Sequence, residues 1–326
     1  MSNNSSYMLF LAFMFMGIII SVSSNNWLGC WMGIEVNMIS FLPLMADKMN
    51  IYSSESMISY FIIQSMASSM LFISILLVTM FNFGLVMVIS LMIKIGCPPF
   101  HLWFPSVMEG LSWMMCFLLS TVQKLIPMIL LTNLMFNFSL FIILSCCLGA
   151  IGGLGYSSMR KIIAYSSIYN LGWMISGIMM VNYSWLFYFS IYSLNLFMVC
   201  YTFNSLNVNY LNQFFVFSKI YMNSLLMMVL FMSMGGLPPF LGFIPKLVLI
   251  YCLVLNNLLF PCFILVMTAL LVLFFYMRIV YTGMMINSMS LMVKFYSMYS
   301  LSWMFYVFGI LSIFGLFILL MMSLFF

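Results

Sequence analysis

Four ionisable side chains stand inside long apolar runs of this chain: Glu35 in GIEVNMISF, Lys94 in KIGCPPFHLWFP, Lys124 in TVQKLIPM and Lys246 in GFIPKLVLI. The chemistry open to such groups is proton exchange, because desolvation penalises the charged form and a change in a neighbouring charge then tips the balance. A charge at the centre of an apolar helix costs about 2.5–3.5 kcal/mol on insertion scales, and it marks an ion or substrate path by default. Glu35 has no opposite charge within a helical turn of its own run, so its partner comes from another helix, and Lys94 is the natural candidate. At about 4 Å such a pair gains roughly 4 kcal/mol at an effective dielectric near 20, comparable to the cost of inserting one charge. A static ion pair that fixes helix packing is the alternative reading.

The residues around the lysines sharpen this. Lys94 precedes Pro98 and Pro99, which break a helix, and His101, the only histidine, lies two residues beyond. Histidine ordinarily titrates near neutrality, so His101 can relay protons between water and Lys94, or equally satisfy backbone groups opened by the break. Lys124 lies one turn before Pro127, whose missing N–H frees a backbone carbonyl. Lys246 follows Pro238 and Pro239, where the ends of a broken helix can hold water and ions.

Other chemistries are poorly supported. The eight cysteines, Cys30, Cys97, Cys116, Cys146, Cys147, Cys200, Cys252 and Cys262, lie in or beside apolar runs without CxxC spacing and read as packing residues. Neither a metal nor an iron–sulfur motif is present. GAIGGLGY (149–156) lacks the GxGxxG order of a nucleotide loop and reads as small residues for close helix approach. Asp47 and His101 are the only members of their kinds, which makes a Ser-His-Asp hydrolase improbable.

These groups need helices to hold them. With 66% hydrophobic and 4% charged residues, the sequence reads as an all-α polytopic membrane protein, and the few charges leave no patch for nucleic acid. At about 20 apolar residues per span, the chain divides into about eleven transmembrane helices. They fall near 6–24, 27–46, 57–80, 84–104, 110–131, 134–155, 161–181, 184–205, 222–253, 257–283 and 301–325. The ninth is too long for one unbroken span and reads as two half-helices or a strong kink. The N-terminal run lacks the basic flank and cleavage site of a signal peptide and is read as a retained helix.

Numbering the spans places Lys48, Arg160, Lys161, Lys219, Lys294 and the end of Arg278 on the N-terminal side, with no positive charge in the opposite loops. The positive-inside rule then sets the N-terminus in the cytoplasm or mitochondrial matrix and the C-terminus outside. The spacing PPFxxxxP occurs twice, at Pro98-Pro99-Phe100 with Pro105 and at Pro238-Pro239-Phe240 with Pro245. The copies sit five spans apart, and an odd number reverses direction, so the expected arrangement is a pair of inverted five-helix repeats with two broken helices. Their bounds are about 27–155 and 161–283, within one transmembrane domain over 1–326 that ends in the helix at 301–325. The 39 methionines hint at a mitochondrial genetic code.

NNWLGCWMGIEVNMISFLPLM (25–45), KIGCPPFHLWFPSVMEG (94–110), TVQKLIPM (121–128), RKIIAYSSIYNLGWM (160–174) and GGLPPFLGFIPKL (235–247), in this order, resemble the antiporter-like membrane subunits of respiratory complex I, the NADH–ubiquinone oxidoreductases, in their animal mitochondrial form. That form lacks the first three helices of the bacterial fourteen-helix fold. The resemblance implies a proton-translocating membrane-arm subunit in the mitochondrial inner membrane, with its N-terminus in the matrix and its C-terminus in the intermembrane space. Glu35 and Lys94 match the family's glutamate–lysine pair, Lys124 its central lysine and Lys246 the lysine of the second broken helix. NAD, FMN, iron–sulfur clusters and ubiquinone are then expected in other subunits, with no redox site or cofactor in this chain. Expected partners are the adjacent antiporter-like chain, the small membrane subunits towards the quinone site, and lipids. A self-standing cation/proton antiporter and a structural coupling subunit without its own proton path are the rival readings.

Overall fold

The computed structural model describes residues 4–46, 50–77, 84–134, 136–180, 183–213 and 221–285, together with 307, 309 and 312. Lys48, Lys219, Lys294 and most of the expected helix at 301–325 lie outside them. Among the described residues the chain is helical, with one isolated antiparallel bridge between Ser158 and Tyr210. Among the described residues seven helical segments, one of them the interrupted Trp113–Thr132, are long and apolar enough to cross a membrane, and four apolar helices are shorter. All eight cysteines are free.

Two compact units divide the chain after Asn137. The first contains α1 (Asn4–Ser23), α2 (Trp27–Met45), α3 (Ile51–Leu77), α4 (Gly84–Ile95), α5 (Trp103–Gly110), α6 (Trp113–Ser120) and α7 (Val122–Thr132). Here α1 and α2 form a tight hairpin because glycines face each other. A Cβ on Gly33 would lie 2.7 Å from Gly17 O and 2.7 Å from Ser21 N. Since both obstacles are backbone, Gly33→Ala is expected to lower thermal stability by about 1–3 kcal/mol, the usual cost of overpacking, in denaturation of the purified assembly. Helix α3 packs against both α4 and α5, and α4 packs against α7.

The second unit contains α8 (Ser139–Gly152), α9 (Met159–Met179), α10 (Ser184–Leu206), a 3-10 turn (Leu211–Gln213), α11 (Tyr221–Gly235), α12 (Phe243–Leu255) and α13 (Leu259–Met285). Its centre is α9, buried on every side, as expected of a helix that packs against α8, α10, α12 and α13. Its polar residues are accommodated by local bonds. Ser166, Ser167 and Ser176 each donate to a carbonyl one turn back, and Asn170 does the same to Ser166 O at 2.8 Å. Gly149 and Gly152 bring α8 against α9, and a Cβ on Gly149 would lie 2.6 Å from Tyr169 N. The small residues of GAIGGLGY therefore do serve close approach. Arg278 of α13 ties down the loop after α8 through Leu154 O and Tyr156 O, both at 2.8 Å.

The two proline motifs fold alike. In the first unit Gly96 has φ +76°, Gly96 N–H donates to Met92 O and Ile93 O, Cys97 N–H to Met92 O, and Phe100 N–H to Cys97 O. In the second Gly236 has φ +78°, Gly236 N–H donates to Met232 O and Ser233 O, Leu237 N–H to Met232 O, and Phe240 N–H to Leu237 O. Each is a helix stop with a glycine in the left-handed region, followed by a proline turn and a new helix. The sequence reading of 84–104 as one span with a break becomes two helices, α4 and α5, and the long ninth run becomes two half-helices, α11 and α12. A further interruption was not anticipated: the run 110–131 is divided at Thr121, whose φ of −118° and ψ of −77° separate α6 from α7.

Candidate functional site

All three span lysines are buried, Lys94 with 5% of its surface exposed, Lys124 with 2% and Lys246 with 6%. Lys94 is in the last turn of α4. Burial of an amine is costly unless polar partners remain nearby, and the partners differ between the two breaks. In the first unit the carbonyl end of α4 is satisfied without a lysine. Gln64 Nε2 donates to Lys94 O at 3.2 Å, and Trp103 Nε1 to Ile93 O at 3.2 Å. Lys94 Nζ itself has no hydrogen-bond partner among the described residues.

Lys94 and Lys124 line one cavity in this unit, with a water-accessible volume of about 20 Å³. Its polar lining also includes Asn37, Tyr60, Gln64 and Gln123. Tyr60 Oη donates to Gln123 Oε1 at 3.2 Å, and Gln123 Nε2 donates to Asn37 Oδ1 at 3.1 Å. This chain of neutral groups links α3, α7 and α2 beside the lysines. Lys124 Nζ lies 4.4 Å from the centre of the Phe104 ring, within cation–π range. The volume admits a water molecule, which needs about 10–15 Å³ by the same measure and two or more polar partners.

Glu35, on α2, makes no hydrogen bond with Lys94 Nζ. The His101 carbonyl accepts from Phe104 N–H at 3.0 Å. His101 is not among the residues lining the lysine cavity.

In the second unit Lys246 holds the break together. Its Nζ donates to Gly235 O at 2.7 Å, across from α12 to the last residue of α11, and lies 5.7 Å from the Tyr169 ring centre. A cation at a helix C-terminus meets the negative end of the helix dipole, so the placement is favourable. Lys246 lines a second cavity of about 20 Å³ with Asn170, Tyr188, Tyr192, Asn195 and Ser233.

The sequence reading missed the neutral polar residues. Tyr60 and Gln64 are spaced i, i+4 on α3, and Tyr188, Tyr192 and Asn195 are spaced i, i+4, i+7 on α10. Polar groups at helical spacing within an apolar span were the available signal.

Residues 77–272 match a family described as NADH:quinone oxidoreductase/Mrp antiporter, transmembrane. The chain is 43% identical over 302 residues to NADH-ubiquinone oxidoreductase chain 2 of Anopheles gambiae, covering 88% of this chain and 87% of that one. Against the protein of the same name from Locusta migratoria it is 40% identical over 298 residues, covering 87% and 86%. A chain in the structure of respiratory complex I from Thermus thermophilus with bound aureothin superposes with a TM-score of 0.81 over 95% of this chain and 78% of that one. At 17% identity this last likeness speaks to fold alone.

Proposed function

Since this chain belongs to the NADH:quinone oxidoreductase/Mrp antiporter membrane family, among its NADH–ubiquinone oxidoreductase chain 2 members, we propose that its buried lysines form a proton relay through the membrane plane. The chain is a proton-translocating subunit of the complex I membrane arm, and other complex I subunits are its partners. The relay begins with Glu35 and Lys94, continues to Lys124 through the shared cavity, and leads towards Lys246. A change of state in a neighbouring subunit alters the pairing of Glu35 with Lys94, and water in the cavity then carries a proton between Lys94 and Lys124. The observation that carries this reading is the cavity lined by both lysines, by a hydrogen-bonded Tyr60–Gln123–Asn37 chain and by Gln64.

In this reading NADH, FMN, iron–sulfur clusters and ubiquinone act in other subunits. The neighbours are an adjacent antiporter-like chain and small membrane subunits towards the quinone site, with lipid on the exposed faces. The chain lies in the mitochondrial inner membrane, its N-terminus in the matrix and its C-terminus in the intermembrane space. With α11 and α12 as the halves of one broken span, the shorter helices bring the crossings to ten, and the expected helix at 301–325 makes eleven in one domain, arranged as two inverted repeats and a final helix. The matching hydrogen-bond patterns at Gly96 and Gly236 support the repeats. His101, two residues beyond Pro99, either relays protons or supports the first break, and its carbonyl accepts from Phe104 N–H.

The test replaces Glu35 by Gln and Lys94 by Met separately in the assembled complex, with protons translocated per electron measured in sealed vesicles. Each is expected to lower the ratio. An unchanged ratio in both would remove the relay and leave a structural coupling role. pH-dependent cation exchange by the purified chain in liposomes would instead favour a self-standing antiporter.

A further inference from the structure

Helix α10 packs against both halves of the second broken helix, α11 and α12. Tyr188, Ile191, Tyr192 and Asn195 share one face of it and line the Lys246 cavity. Most polar groups at that cavity are already engaged. Tyr188 Oη donates to Asn170 Oδ1 at 2.7 Å, Asn170 Nδ2 donates to Ser166 O at 2.8 Å, and Ser233 Oγ donates to Leu230 O at 2.7 Å. The exceptions are Tyr192, whose Oη has no hydrogen-bond partner among the described residues, and Asn195. Only 3% of Asn195 is exposed, and its Oδ1 has no hydrogen-bond partner among the described residues.

An amide oxygen buried without a donor costs about 1–3 kcal/mol. A donor is near, since an ammonium carries three N–H groups and Lys246 spends one on Gly235 O. Between the acceptor and the donor lies a cavity of about 20 Å³, room for one water molecule. We propose that Asn195 is a positioning residue that holds a water molecule against Lys246, the water accepting from Nζ and donating to Asn195 Oδ1.

This rests on the reading of Lys246 as a relay member and names the group through which it exchanges its proton. In that exchange an N–H bond of Lys246 breaks as an O–H bond forms on the water. The water releases one of its own protons along its second O–H to the next acceptor, so it is regenerated. Asn195 fixes which way the water points. The first unit does this differently: its amide on the helix packed against both half-helices, Gln64, is committed to a helix-end carbonyl. In the second unit the lysine takes that carbonyl, and the amide is left for water.

The test uses the assembled complex with Asn195→Leu, which fills similar space without an acceptor, and Asn195→Ser, which keeps one. Two readouts are taken: electron cryo-microscopy density for water, and the rate and pH profile of proton translocation. Expected in the unaltered complex is water density within hydrogen-bonding distance of both Asn195 Oδ1 and Lys246 Nζ. Asn195→Leu should lose the density, translocate about tenfold more slowly, the worth of one hydrogen bond to a charged group, and show a displaced pH profile that a packing defect would not produce. Asn195→Ser should restore density and most of the rate. Absence of density in the unaltered complex, or a normal rate and profile in Asn195→Leu, overturns the proposal. If Asn195→Leu does not assemble, density in the unaltered and Asn195→Ser complexes decides. Lys246→Met separates the two levels: if it stops translocation while Asn195→Leu does not, only the water is wrong, and if neither has an effect, the relay fails as well.

Discussion

Lys124→Met is expected to slow proton translocation by about 100-fold, the scale of losing a positioned proton donor or acceptor, without weakening the fold. The two halves of this expectation have separate causes. Lys124 is fully buried on α7, with its amine over the Phe104 ring and facing the cavity it shares with Lys94. Methionine occupies similar space and meets the same ring with its sulfur. Exchanging a buried charge for an apolar group of like volume is often neutral or stabilising, by up to about 1–4 kcal/mol. Thermal denaturation of the assembled complex should therefore show an unchanged or higher midpoint, while translocation collapses. Lys124→Arg discriminates further. A guanidinium keeps the positive charge but does not release its proton in proteins, so it should fail as badly as methionine if Lys124 works by giving up a proton. Restored translocation in Lys124→Arg would mean that the site needs only a fixed charge.

That pair of lysines illustrates what the sequence could and could not disclose. A charge in an apolar run stands out because its insertion cost is large, so Lys94, Lys124 and Lys246 are visible from composition alone. Neutral amides and phenols carry a smaller penalty and are common in membrane helices. Asn37, Tyr60, Gln64, Gln123 and Asn195 consequently drew no attention, although they supply much of the polar lining of the two cavities. Proline pairs marked both helix breaks correctly, because a missing N–H and a ring clash act locally. The interruption at Thr121 is different. Pro127 is the visible breaker in TVQKLIPM, yet α7 continues through it and the chain yields one turn and more earlier. Thr121 Oγ1 donates to Phe117 O at 2.7 Å beside the Thr121 N–H at 3.1 Å, a back-bond of the kind that bends helices and is not evident without the fold. The Glu35–Lys94 pairing depends on the packing of separate helices, and the hydrogen bond it would require is not made here.

Gly242→Ala is expected to cost about 3 kcal/mol, the upper part of the range for overpacking, and to disable the second lysine site along with it. Gly242 has φ −66° and ψ −13°, a conformation any residue adopts, so the objection to alanine is space alone. A Cβ there would lie 1.7 Å from Ser233 O, a backbone atom in the last turn of α11. Neither partner is the end of a flexible side chain, so the half-helices must move apart. The bond that spans them, Lys246 Nζ to Gly235 O at 2.7 Å, is stretched by the same movement. Gly236→Ala tests the other half of the cause. Its φ of +78° strains alanine by about 1–2 kcal/mol, and its Cβ would lie 2.8 Å from Lys246 Nζ, an atom that can swing away. Gly236→Ala should thus displace the lysine with less disturbance of the backbone, lowering translocation more than stability. Gly155, beside which a Cβ meets nothing within 4 Å, is the control, and Gly155→Ala should leave both quantities unchanged. Thermal denaturation and translocation measured on the three assembled variants distinguish the cases. Equal midpoints for Gly242→Ala and Gly155→Ala would show that α11 and α12 are not held against each other at Gly242, and the proposed geometry of Lys246 would go with that contact.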